Sequence, residues 1–117
     1  MLHALVDTAS LAVLYYEAYL FGQPEAARFS TGELVSLILL YNVLAFGLQV
    51  PLGWLADLLG AHKSFANGGL GLTALAVAAS PYWPYAGVVV IAAGNACFHV
   101  GAGGIVLRDC GGRAARP

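Results

Sequence analysis

The sequence predicts an all-α, polytopic membrane protein of four transmembrane helices, on three observations. Only 9% of its 117 residues are charged and 60% are hydrophobic, whereas about 25% of a soluble domain is charged. A small water-soluble fold has a high ratio of surface to volume, and five Lys or Arg with six Asp or Glu cannot furnish its polar exterior. Second, no charged residue occurs over the 23 residues from Leu34 to Ala56 or over the 44 residues from Ser64 to Leu107. Third, the longer stretch is broken near its middle by Ser80-Pro81-Tyr82-Trp83-Pro84, a turn signal whose aromatic rings suit a membrane interface.

The elements follow in order. Residues 2–21 form a first span that carries Asp7 and Glu17 but is otherwise almost entirely apolar or aromatic. It lacks the basic start and small-residue cleavage site of a signal peptide, so it is expected to be retained. Residues 34–57 are long enough to cross once with some tilt. At a rise of about 1.5 Å per residue the longer uncharged stretch crosses a core of about 30 Å twice, as spans 64–80 and 85–107. The membrane domain is thus 1–109 and the tail 110–117. Gly68, Gly69, Gly71, Gly87, Gly94, Gly101, Gly103 and Gly104 predict close helix packing, since small residues let helices approach in lipid. A hinge at Gly101 to Gly104 is the other reading.

Four spans put both termini on one side. Lys63, Arg108, Arg113 and Arg116 fall on that side and Arg28 on the other, so the positive-inside rule places the termini in the cytoplasm. A net charge of -1 with no basic patch predicts no nucleic-acid partner. Cys97 and Cys110 show no metal-ligand spacing, and no nucleophile–base pair or phosphate loop stands at recognisable spacing. No metal, no cofactor and no enzymatic activity are expected.

The most specific signal is Gly53-Trp54-Leu55-Ala56-Asp57-Leu58-Leu59-Gly60-Ala61-His62-Lys63. It resembles the loop signature between the second and third helices of major facilitator superfamily transporters, with Gly53, Leu55, Ala56, Asp57 and Gly60 at matching positions. The resemblance implies a cytoplasmic gating motif of Gly53, Asp57, Gly60 and Lys63, in which Asp57 caps or pairs with a neighbouring helix end, as a carboxylate beside a positive helix terminus can. Departures are Leu58, Ala61 and His62 where basic residues are usual, with Lys63 displaced by one. A plain tight turn with a topologically required lysine is the alternative.

Polar residues inside the first and fourth spans form a second constellation. His3 and Asp7 share a helix face, as do Asn95 and His99. Asp7 and His99 are expected at comparable depth, roughly 9 to 14 Å in. In the resembled family the first and fourth helices line the substrate cavity, which would make these residues candidates for proton coupling. The alternative is that His3 and Asp7 sit near the interface and reach water by snorkelling. The segments His3-Ala4-Leu5-Val6-Asp7 and Gly94-Asn95-Ala96-Cys97-Phe98-His99 are similar to the fosmidomycin-resistance and sugar-efflux branch, which implies export of a drug or small metabolite from the inner membrane of a prokaryotic cell.

The resembled family has about twelve spans in two halves, so the chain is expected to be a truncated amino-terminal part whose partners are membrane lipid, a small-molecule substrate and either the missing remainder or further copies of itself. Two other readings stay open. One is a self-contained dimeric transporter like those of the small multidrug resistance family, with Glu17 as its shared site; Glu17 among interfacial tyrosines is the bland version. The other is a non-transporting membrane subunit.

Overall fold

The computed structural model describes residues 2–21 and 30–109, which form five helical segments and no strand: α1 (Leu2–Phe21), α2 (Thr31–Gly47), α3 (Gln49–Leu59), α4 (His62–Ala79) and α5 (Pro84–Asp109). The expected second span is thus interrupted. Leu48, between α2 and α3, keeps right-handed helical angles, and Leu48 N–H and Leu52 N–H still donate to carbonyls four residues back. Pro51 is the physical reason for the notch, because it has no N–H to offer the Gly47 carbonyl. The pair runs as one rod over Thr31–Leu59.

Each turn between helices has a local cause. Ser30 and Glu33 form a capping box, with Glu33 Oε2 accepting from Ser30 N–H at 2.7 Å, so α2 starts before the uncharged stretch does. That backbone bond, then the Ser30 hydroxyl, holds the exposed Glu33 carboxyl below its usual range. Its contribution to the cap is therefore present at neutral pH and is lost as pH falls through that lowered value. Gly60 ends α3 in the left-handed conformation at φ 61°. Gly60 N–H then donates to Asp57 O and Ala61 N–H to Ala56 O, a Schellman arrangement. Pro84 opens α5, where a missing N–H costs nothing.

α5 touches every other helix and α4 most extensively. The α4–α5 seam is built mostly of small residues in a heptad-like series: His62, Ala66, Gly69, Thr73 and Ala76 on α4, with Ser80 at its C-cap, face Gly87, Ile91, Gly94, Phe98 and Gly101 on α5, all buried. The backbones themselves are in contact. A methyl group on Gly94 would lie 2.9 Å from Thr73 N, and one on Gly101 would meet the Ala66 amide and lie 2.5 Å from the His62 carbonyl oxygen. The helix is continuous through Gly101 to Gly104, and Gly101 and Gly104 serve packing against α4. Gly103 faces open space.

The remaining surface is apolar outside and partly polar inside. Val35, Leu39, Val43, Phe46, Val50, Trp54 and Leu58 make one exposed stripe along the α2–α3 rod, whereas Ser10, His62, Thr73, Ser80 and Asn95 are buried. Thr31–Leu59 and Pro84–Asp109 are long and apolar enough to cross a membrane. Of the other two expected spans, α1 shows a shorter apolar helix over Ala4–Tyr16 among the described residues, and α4 is more dilute in apolar residues through His62, Lys63, Ser64 and Asn67 at its start.

Replacing Gly101 by Ala forces the α4 and α5 backbones apart and is expected to cost about 1–3 kcal/mol of stability. Gly103→Ala is expected to be neutral or stabilising by up to about 1 kcal/mol, because only helix propensity changes. Unfolding of the two purified variants in detergent micelles, followed by circular dichroism, checks the contrast.

Candidate functional site

Asp7 and His99 come together from α1 and α5: His99 Nε2 lies 3.1 Å from Asp7 Oδ1. Their side chains are 23% exposed for the histidine and 45% for the aspartate, so the pair is neither sealed in the core nor fully outside. A second polar contact lies one turn away. Asn95 Nδ2 donates to Ser10 Oγ at 3.2 Å and to Tyr41 Oη at 2.9 Å, and the Ser10 hydroxyl donates to the Val6 carbonyl at 2.9 Å.

The register explains why these four meet. Asp7 and Ser10 are three apart on α1, while Asn95 and His99 are four apart on α5, and antiparallel packing sets Asp7 against His99 and Ser10 against Asn95. Val6, Ser10 and Val13 form the buried face of α1. Asn95 is itself buried, and in an apolar setting an amide without partners is costly, so its bonds to α1 and α2 hold three helices in register. Ser10 was within reach of sequence reasoning as the next polar residue on the Asp7 face. Tyr41 carried no such signal, since a tyrosine in an apolar stretch reads as packing. The backbones of His3 and Glu17 belong to α1, but their side chains lie outside the described residues, as do Cys110, Arg113, Arg116 and Arg28.

The second group lies at the other end of α5. Asp57, on the last turn of α3, has Oδ1 3.2 Å from His62 Nε2 and 4.0 Å from Arg108 Nη2. The 3.2 Å approach is an electrostatic contact without hydrogen-bond alignment, because neither ring nitrogen of the buried His62 has an aligned partner. The ring lies against Gly104, where a methyl group would collide with it. His62, a departure from the motif at the level of sequence, thus stands beside the aspartate. Gly53 is set close to α5, where an added methyl would touch Val100 Cγ2 at 4.0 Å. Gly60 supplies the left-handed turn that brings α4 back toward Asp57. Lys63 and Arg108 line an open cleft of about 230 Å³ together with Gly60, Ser64, Ile105 and Asp109. The exposed Asp57–Arg108 pair is a weak attraction.

The two groups are separate. Asp7, Ser10, Tyr41, Asn95 and His99 tie α1 and α2 to the middle of α5, and Asp57, His62 and Arg108 gather the ends of α3, α4 and α5. The Asn95→Leu variant is expected to lose about 1–2 kcal/mol of stability, and a double-mutant cycle of Asn95→Leu with Tyr41→Phe is expected to return a coupling of about 0.6 kcal/mol or more. Denaturant titration in mixed micelles gives both numbers; additive effects would remove the Asn95–Tyr41 bond as a structural tie.

The chain matches no protein-family model, no curated protein and no solved structure.

Proposed function

We propose that the chain is an integral membrane protein of four spans that forms the amino-terminal part of a major facilitator type secondary transporter, exporting a small molecule in exchange for protons. The observation that carries this reading is the Asp7–His99 contact at 3.1 Å between α1 and α5. It is an ionisable pair in a chain whose apolar stretches hold almost no other charge, and such residues within a membrane mark ion and substrate pathways.

The membrane assignment is supported by where polar groups go. Among the described residues Ser10, Ser36, Asn42 and Gln49 each donate to the carbonyl four residues back in their own helix. Ser36 and Asn42 are exposed and in water would have solvent to bond. Satisfying them within the helix is what hydrocarbon demands. The apolar stripe on the α2–α3 rod and the exposed Tyr82, Trp83 and Tyr85 rings at the α4–α5 turn suit lipid and its interface respectively. The motif around Asp57 then lies on the same side as Lys63 and Arg108, in keeping with a cytoplasmic latch formed by Asp57 with His62 and Arg108.

In this reading Asp7 and His99 together form the proton-coupling site between α1 and α5. Everted vesicles from cells making the protein test it. The chain is expected to stay in the membrane pellet after alkaline carbonate washing. Asp7→Asn and His99→Gln are each expected to lower pH-gradient-driven accumulation of a fluorescent cargo found by screening by at least ten-fold. Unchanged accumulation in Asp7→Asn would end the coupling role.

A further inference from the structure

We propose that His62 is a proton-operated switch that hands the Asp57 carboxylate between α4 and α5: with the ring charged, Asp57 is held by His62, and with the ring neutral, Asp57 goes to Arg108. The inference deepens the latch of the reading above and rests on the geometry of that latch, without depending on what the chain transports. Its starting point is an orphaned side chain. His62 is 6% exposed, and both its ring nitrogens are sealed from solvent without an aligned hydrogen bond. Buried polar atoms in native folds are nearly always paired, so an unpaired histidine calls for an explanation. Its packing leaves no room to find another partner. Gly104 of α5 lies under the Nδ1 edge of the ring, where a methyl group would collide with it. On the Nε2 edge stands Asp57 Oδ1 at 3.2 Å, and that same oxygen is 4.0 Å from Arg108 Nη2. One carboxylate oxygen thus lies within reach of a partner on each of two helices. The Asp57 side chain is 73% exposed, so it can turn between them without disturbing the core.

What decides between the two partners is the charge on the ring. A neutral ring presents to Asp57 either an N–H or a bare lone pair, according to its tautomer, whereas a protonated ring presents an N–H and a full positive charge. Histidine is the residue type whose charge changes between about pH 5 and pH 8, while carboxylates, lysines and arginines as classes keep theirs over that range. The helices that meet here are α3, α4 and α5. Their charged groups are Asp57 on α3, Lys63 beside the ring on α4, and Arg108 and Asp109 on α5, of which the last three line one cleft with His62. Burial and the positive start of α4 both oppose a charge on the ring, and Asp57 is the carboxylate in contact with it that offsets them. Arg108 competes for Asp57 from the exposed side as a weaker but permanent attraction. Taking up a proton therefore ties α3 to the start of α4, and losing it returns Asp57 to the end of α5.

The test reads the ring itself and leaves it in place. The full chain, made with nitrogen-15-labelled histidine and purified in detergent, is titrated from pH 5 to pH 9 by nuclear magnetic resonance. His3→Gln and His99→Gln variants assign the His62 signals by elimination. His62 is expected to titrate within that range. Asp57→Asn is expected to lower its midpoint by about half a pH unit or more, since the charged ring loses its acceptor. Arg108→Gln is expected to raise it, since the competitor for Asp57 is gone. Asp109→Asn, which removes a cleft carboxylate that makes no ion pair with the ring, is expected to move the midpoint less than Asp57→Asn does. Helical circular dichroism of each variant confirms folding. A ring that does not titrate, a midpoint indifferent to Asp57→Asn, or one that does not rise in Arg108→Gln would overturn the proposal. Failure here with coupled accumulation intact would remove the switch alone. A working switch in a chain that shows no coupled accumulation would remove the transport reading alone.

Discussion

Backbone contact between α4 and α5 is the constraint on which the other helices depend. Gly69, Gly94 and Gly101 leave no room for a side chain at their positions between the two helices, and Ala66, Thr73 and Ala76 keep most of the α4 side of the seam small. In water a pair held by so few apolar atoms would be weak, because burying small residues removes little apolar area. In lipid the reckoning differs: helices already share an apolar solvent, and close approach gains dispersion and dipolar contacts that bulky residues would prevent. The seam therefore makes sense together with the apolar exterior of the α2–α3 rod.

With α4 fixed against it, α5 becomes the post to which α1 and the α2–α3 rod attach by other means. Those attachments are side-chain contacts: Ser10 and Tyr41 to Asn95, and Asp7 to His99. Val13 and Ile91 meet in one apolar cluster, and Leu37 and Val88 in another. A hydrogen bond between side chains can be exchanged for one to water or cargo at modest cost, whereas interlocked backbones can separate only by losing all contact at once. The α4–α5 attachment is thus backbone on backbone, and the attachments of α1 and α2 to α5 include side-chain hydrogen bonds.

Much of this was legible in the sequence, for reasons that are physical. Gaps in charge located helices because a long uncharged apolar run favours a helix that satisfies its own backbone, and the Ser80 to Pro84 turn separated two of them because proline acts locally. The meeting of Asp7 and His99 was approachable by counting residues along helices that rise at a fixed rate. The notch at Leu48 was legible only through Pro51, because the apolar stretch around it is otherwise unbroken. Which glycines pack and which face outward was not legible, since Gly101 and Gly103 differ only in helical phase relative to a partner the sequence does not specify. Tyr41 was missed for a related reason: its role depends on Asn95, 54 positions away, and no local pattern links them. The burial of His62 depends in the same way on Gly104 beneath its ring.

The notch in the α2–α3 rod acquires a meaning from where each half is held. Above it, Tyr41 of α2 bonds to Asn95 in the middle of α5. Below it, Gly53 of α3 runs close to Val100, and Asp57 reaches toward His62 and Arg108 near the ends of α4 and α5. A continuous helix would transmit any tilt of α2 directly to the Asp57 end. With the Gly47 carbonyl relieved of its partner by Pro51, the two halves can change angle with fewer backbone bonds to break. The middle of the bundle, where Asp7 meets His99, and the end, where Asp57 meets His62, are thus joined rigidly through α5 and loosely through α2 and α3.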